Sequence, residues 1–246
     1  MSDNHNFVLK SVNCPYYCQK CGQLGFGKSY SCNKWHKCNL FYHKECEKPK
    51  FKVEHPFSKK CVLNFYPSSN TSGKCLCDVC GEGIKGYHYR CKCRFVTRHI
   101  HPFCLSYAPT LVALDGLTMN LMKVASTECL CCAKKDVCSE VRGWAYVSSC
   151  GDHCYHVVCV MKLVYENWEA RKGACDPFRI IRERFPGDMN RKNDQKKKKT
   201  DHELRKKLAF TALSVIYNFL TGNLLGLIGD AINHFSDAKK KRLIYT

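Results

Sequence analysis

Cys18-Gln19-Lys20-Cys21-Gly22, then Tyr30-Ser31-Cys32 and His43-Lys44-Glu45-Cys46, is the stretch on which the fold turns. A C-x2-C turn presents two thiolates to one tetrahedral metal without strain, and an H-x2-C pair supplies two more ligands from further along the chain. The pattern returns. Cys77, Cys80, Gly81, Tyr89 and Cys91 follow Cys18, Cys21, Gly22, Tyr30 and Cys32 at one constant offset, and His101 and Cys104 follow His43 and Cys46 with a slip of a single position. A looser third copy runs through Cys129, Cys132, Trp144, Tyr146, Cys150, Cys154, His156 and Cys159. Matches at a near-constant period mark a chain of like units. Alternating pairs of this kind cross-brace, the first and third sharing one ion while the second joins flanking ligands on another. Three Cys3His zinc sets follow: Cys18, Cys21, His43 and Cys46; Cys77, Cys80, His101 and Cys104; Cys129, Cys132, His156 and Cys159.

The chain has 246 residues, 21 Cys and 11 His, with 45% hydrophobic and 12% aromatic content. That apolar share excludes a disordered chain. Two chemistries compete for so many cysteines, disulfides in an oxidising compartment and metal thiolates in a reducing one. Residues 1–10 carry no apolar export segment, the count is odd, and the grouping into C-x2-C and H-x2-C suits chelation. An intracellular protein of the cytoplasm or nucleus is therefore expected. Units as short as these repeats are close to the smallest that a hydrophobic core holds unaided. A structural zinc contributes about 10–16 kcal/mol to folding, more than the net stability of a typical small domain. Alternation around Tyr30 and Tyr89 predicts short antiparallel strands near 28–32 and 86–91, and each H-x2-C pair fits one turn of helix. The expected fold class is small α+β modules stapled by zinc, as three tandem cross-braced fingers with short antiparallel sheets, plus a C-terminal amphipathic helix. The boundaries read as modules at 1–58, 59–112 and 113–175, a basic linker at 176–207, and the helix with a basic end at 208–246.

His5-x12-Cys18-x2-Cys21, and then Cys38-x4-His43-x2-Cys46 with His55 following, resemble the diacylglycerol-binding zinc finger of protein kinase C. The repetition, Tyr30-Ser31-Cys32, Tyr89-Arg90-Cys91, His55-Pro56 and Gly143-Trp144-Ala145-Tyr146 are more specifically similar to the plant divergent C-one domain proteins. These are the cysteine/histidine-rich family of the VACUOLELESS GAMETOPHYTES type. The resemblance covers residues 5 to about 160. It implies a second zinc in the first module from His5, Cys32, Cys38 and His55. The second module would use Cys91 and Cys93, and the third Cys150 and Cys154, for a total of five or six ions. His55 either closes the first module or opens the second. Cys32 and Cys38 are set wider apart than the family's pair, with Trp35 and His36 between them, which makes His36 an alternative ligand. The segments from Cys21 to Cys32 and from Cys80 to Cys91 are equal in length and shorter than the lipid-binding fingers carry, so diacylglycerol is not an expected ligand. The family implies a non-catalytic adaptor in plant signalling or stress response, with an unidentified protein as partner.

Other chemistries have weaker warrants. Gly22-Gln23-Leu24-Gly25-Phe26-Gly27-Lys28-Ser29 spells a phosphate-binding loop, but such a loop needs a strand before and a long helix after, and cysteine pairs pin both ends of this one. Redox dithiols stand alone, whereas these pairs belong to sets of four. Catalytic zinc needs an open position and an acid or base, and no glutamate-containing zinc motif is present. The closest rival is a plant homeodomain-like or ubiquitin-ligase-like unit, because Cys77, Cys80, Cys91, Cys93, His101, Cys104, Cys129 and Cys132 also spell C4HC3.

Charge concentrates expectation on the tail. The formal net charge is +19, which three Cys3His zinc sites at −1 each lower to +16. Residues 187–246 carry 13 basic against 6 acidic side chains and no cysteine. Residues 208–229 are uncharged, with Thr211, Ser214, Asn218, Gly222, Gly226 and Gly229 drawing a polar stripe down one helical face. A helix docked on protein, an anionic membrane surface contacted through 191–235 by a tethered sensor, and a spanning helix are the readings. Nucleic acid is expected only as a non-specific partner of the basic run.

Overall fold

The computed structural model describes residues 6–33, 38, 40–68, 75–93, 96–112 and 116–171, together with Ile216. His5, His36, the basic linker and the C-terminal segment apart from Ile216 lie outside the described residues. Three antiparallel sheets follow one another along the chain. The first orders β1 (Phe7–Tyr17), β2 (Leu24–Cys32) and β3 (Phe41–His43) as β1-β2-β3. The second is β4 (Lys52–His55), β5 (Ser58–Tyr66), β6 (His88–Cys93) and β7 (Val96–Ile100) in chain order. The third orders β8 (Thr110–Val112), β9 (Thr118–Met122), β10 (Ala145–Ser148) and β11 (Cys154–His156) as β11-β10-β9-β8.

Strand covers residues 28–32 within β2 and 88–91 within β6; Ser29 and Ser31 are buried on either side of half-buried Tyr30, whereas Tyr89 is itself buried. β1 lies outside the expected strands, and its ladder with β2 breaks between Val12 and Tyr16, the interval holding Pro15, which cannot donate to a ladder. Each H-x2-C pair ends in a helical turn: α1 (Lys44–Glu47), a 3-10 turn at Phe103–Ser106, and α2 (Val157–Arg171). α2 continues beyond one turn because Val157, Val158, Val160, Met161, Leu163 and Val164 are all buried.

Strand pairing ties residues on both sides of positions 58 and 112 into one sheet each. β4 and β5 form a hairpin on β6, so residues 52–58 hydrogen-bond into the second sheet. β8 pairs with β9, which carries 110–112 into the third. The reason is that a two-stranded piece is marginal alone and gains by joining the next sheet. Phosphate-loop geometry is absent: Gly25 to Ser29 run as strand β2, paired with β1.

One apolar core runs through the second and third modules and takes in Phe26 of the first, with Leu63, Ile84, Ile100, Met119, Trp144, Tyr146, Tyr155 and Leu163 among its most buried members. Ile216 is helical and fully buried within the same core. No helix among the described residues is long and apolar enough to cross a membrane.

Candidate metal centre

Each C-x2-C pair sits on a turn with one repeated hydrogen-bond pattern. Cys18 N–H donates to the Gln23 carbonyl (2.9 Å) and Gly22 N–H returns to Cys18 (2.7 Å); Cys77 and Glu82, then Gly81 and Cys77, repeat this at 2.9 and 2.8 Å. Cys129 with Lys134 and Ala133 with Cys129, both 2.8 Å, repeat it again. The residue after the first cysteine ties the turn to the last strand of its module: Gln19 to Phe41, Asp78 to His99, Leu130 to Cys154, at 3.0, 2.8 and 2.9 Å. In each case the ligand histidine stands two positions after the tied strand residue. Backbone register therefore carries the H-x2-C pair to the C-x2-C turn, in the loose third copy as in the first two.

The result is three four-residue sets, Cys18, Cys21, His43 and Cys46; Cys77, Cys80, His101 and Cys104; Cys129, Cys132, His156 and Cys159, within each of which the ligand atoms lie within 4.8 Å of one another. In each, the imidazole offers Nδ1, which stands 3.3 and 3.9 Å from the Cys21 and Cys46 sulfurs, 3.5 and 4.0 Å from Cys80 and Cys104, and 3.5 and 3.8 Å from Cys132 and Cys159. Ligands about 2.3 Å from a tetrahedral zinc sit about 3.8 Å apart, so the donor set and its spacing fit such an ion. The far nitrogen of His156 faces the Lys135 carbonyl at 3.1 Å. Those of His43 and His101 are buried without a hydrogen bond. Gly25 makes room for His43, since a Cβ there would stand 2.4 Å from His43 Nε2.

Charge explains what a cation does here. In each set one thiol is held far below its ordinary range. Cys18 is lowered by hydrogen bonds from Cys21 and then Cys46. Burial acts against Cys77, but bonds from Cys104 and Cys80 lower it. For Cys129 the donors are first Cys131 and then Cys159. The partners are driven the other way, with Cys46, Cys104 and Cys159 pushed up chiefly by donating to that thiolate. Three thiolates this close repel, and a divalent soft cation at the centre removes that cost. Metal binding thus releases protons, and acid opposes it.

The first two centres are built into the joints between modules. Tyr87 N–H donates to the Lys20 carbonyl (2.8 Å), and Trp144 N–H donates to the Val79 carbonyl (3.0 Å). Both carbonyls lie inside a C-x2-C turn. The first two metal turns are thereby seated against the glycine-aromatic pair of the next module, Gly86-Tyr87 and then Gly143-Trp144. The His43 ring also stacks on Phe103, 4.4 Å between centroids, and Phe103 lies between the ligands His101 and Cys104.

Of the residues expected to hold second ions, His5 lies outside the described residues. Among the described residues, no other His, Cys, Asp and Glu side chains gather three ligand atoms as closely as these sets. Cys32 ends β2 opposite Phe7, and both Cys32 and Cys38 are half-buried. His55 is buried in the sheet of the second module, where its Nδ1 accepts from Phe57 N–H (3.1 Å) and its ring meets the edge of Trp144. Burial, with Lys123 and Arg98 nearby, lowers its pKa to about 4, so the ring is neutral near pH 7. Cys91 lies on β6 against Cys61, while Cys93 ends that strand. Cys150 and Cys154 separate: Cys150 is exposed at the β10–β11 turn beside Ser148 and His153, whereas Cys154 is buried with Ala125, Ala145 and Val147. Sequence spacing missed Cys61 as the neighbour of Cys91 and Cys131 as a donor to Cys129. For Cys61 a signal existed in its alternation with Leu63 toward the buried face of β5.

Comparison with protein-family models, with curated proteins and with solved structures found no match.

Proposed function

We propose that this chain is a non-catalytic zinc-binding protein that works as a protein-interaction adaptor. The observation that carries the reading is the closure of the three Cys3His sets, each with four protein ligands and the first two fully buried. A tetrahedral ion held by four side chains has no position for a substrate or an activated water, so its contribution is structural. Seating the first two metal turns in the joints between modules supports the same role, because their ions then shape how neighbouring modules are presented together.

A place in plant signalling or stress response comes from the resemblance to the divergent C-one proteins. An intracellular location in cytoplasm or nucleus rests on the grouping of the cysteines, and an anionic membrane as a further contact for residues 191–235 rests on the basic run beside an uncharged segment. The ubiquitin-ligase-like alternative has less support, since Cys129 and Cys132 gather with His156 and Cys159 instead of completing a C4HC3 unit with Cys91 and Cys93. An in vitro ubiquitination assay on the zinc-loaded chain tests the choice. The expected result is no ubiquitin transfer above a no-protein control; transfer that is abolished by Cys77→Ser overturns the adaptor reading.

A further inference from the structure

Two sulfurs outside the metal sets stand closer together than any pair within them is required to be. Cys61 on β5 and Cys91 on β6 are each 3% exposed, and their Sγ atoms are 2.8 Å apart. Two thiolates on one tetrahedral zinc sit about 3.8 Å apart, and a disulfide joins its sulfurs at about 2.0 Å, so 2.8 Å falls inside the metal-bridged separation and toward the bonded one. The strands are antiparallel neighbours, and the ladder continued from Asn64↔Arg90 sets Cys61 opposite Cys93, so that Cys91 is its diagonal neighbour and the 2.8 Å between their sulfurs spans that diagonal.

We propose that Cys61 and Cys91 form a cross-strand disulfide, closed by hydrogen peroxide. One sulfur attacks peroxide as its thiolate: an S–O bond forms, the O–O bond breaks, and the departing hydroxide takes a proton to leave as water. The second sulfur attacks the resulting sulfenic acid, the S–S bond forms, the S–O bond breaks, and a second water leaves. Two thiols and one peroxide give one disulfide and two waters. The oxidant must be small, because at 3% exposure neither thiol is open to a bulky disulfide reagent. The cross-link closes a loop that carries the Cys77 to Cys80 turn, so it ties down both ends of the segment presenting half of the second metal set.

The test uses the full-length, zinc-loaded chain. It is exposed to equimolar peroxide, alkylated, digested with trypsin without reduction and mapped by mass spectrometry. The expected product is peptide 61–74 joined to peptide 91–92, two hydrogens lighter than the sum, and separated again by dithiothreitol. Cys150, which is exposed, reports that the oxidant acted. If Cys150 is oxidised while Cys61 and Cys91 are both alkylated, the proposal fails. It also fails if Cys61 is found joined to any other cysteine. A third overturning outcome comes from native mass spectrometry: a Cys61→Ser chain that holds one zinc fewer than the unaltered chain makes the pair a metal site.

Discussion

The residue after the second cysteine of each metal turn adopts left-handed backbone: Gly22 at φ 75°, Gly81 at φ 72° and Ala133 at φ 54°. Closing the turn by a hydrogen bond back to the first cysteine requires that conformation, and glycine adopts it without a Cβ clash. Ala133 bears the clash, which for an L-residue costs roughly 1–2 kcal/mol. It is solvent-exposed, so nothing is lost in packing by removing its methyl. Ala133→Gly should therefore raise the unfolding free energy of the metal-loaded protein by about 0.5–1 kcal/mol. Chemical denaturation checks this, and an unchanged or lower midpoint contradicts it. At this scale the sequence was readable, since Gly22 and Gly81 already marked the turn and the twelve ligands of the three sets were identified from spacing. The roles of Cys61 and Cys131 were not, because a cysteine outside a motif has no local signature and acquires a neighbour only through strand pairing.

Between elements, the recurring aromatics do more than pack. The Tyr89 hydroxyl donates to the Lys50 carbonyl (2.9 Å) and the Tyr146 hydroxyl to the Ala108 carbonyl (2.8 Å), so each clamps the linker entering its own module. Two positions earlier, Tyr87 and Trp144 bind the metal turn of the preceding module through their backbone N–H groups. Gly86 is required for that approach, as a Cβ there would stand 2.1 Å from the Lys20 carbonyl oxygen. Gly86→Val should force the first two modules apart and cost about 2–3 kcal/mol through overpacking and the lost hydrogen bond. Gly83→Ala is the control, because a Cβ at Gly83 meets nothing within 4 Å, and its effect should stay within about 0.5 kcal/mol. Equal losses from both substitutions, measured by denaturation, would refute the joint. Gly143-Trp144 was visible in the sequence as part of a signature, and Gly86-Tyr87 is its counterpart in the preceding module. The mechanical meaning of such a pair was not visible, since the partner carbonyl belongs to the preceding module, far back along the chain.

Taken as a whole, the molecule buries its three metal sets unequally. The first two are enclosed on all four ligands, whereas Cys132 and Cys159 of the third are half-buried. A small chelator should therefore remove one equivalent of metal faster than the rest, and a chromogenic zinc indicator should show a biphasic release whose fast phase accounts for one ion. Release in a single phase would mean that the joints couple the three centres so tightly that exposure does not matter. Short-range chemistry was settled by the sequence alone. Which residues form each Cys3His set, where the turns fall and that the units repeat follow from ligand spacing, because a tetrahedral ion accepts only a narrow range of chain geometries. Tertiary structure decided what spacing cannot express: which sheet claims His55 and residues 110–112, which thiol faces Cys91, and how one module's metal turn becomes the next module's docking surface. Those outcomes depend on strand register and on backbone groups meeting across long stretches of chain, and such contacts are set by the cooperative burial of a shared core, not by any local pattern of residues.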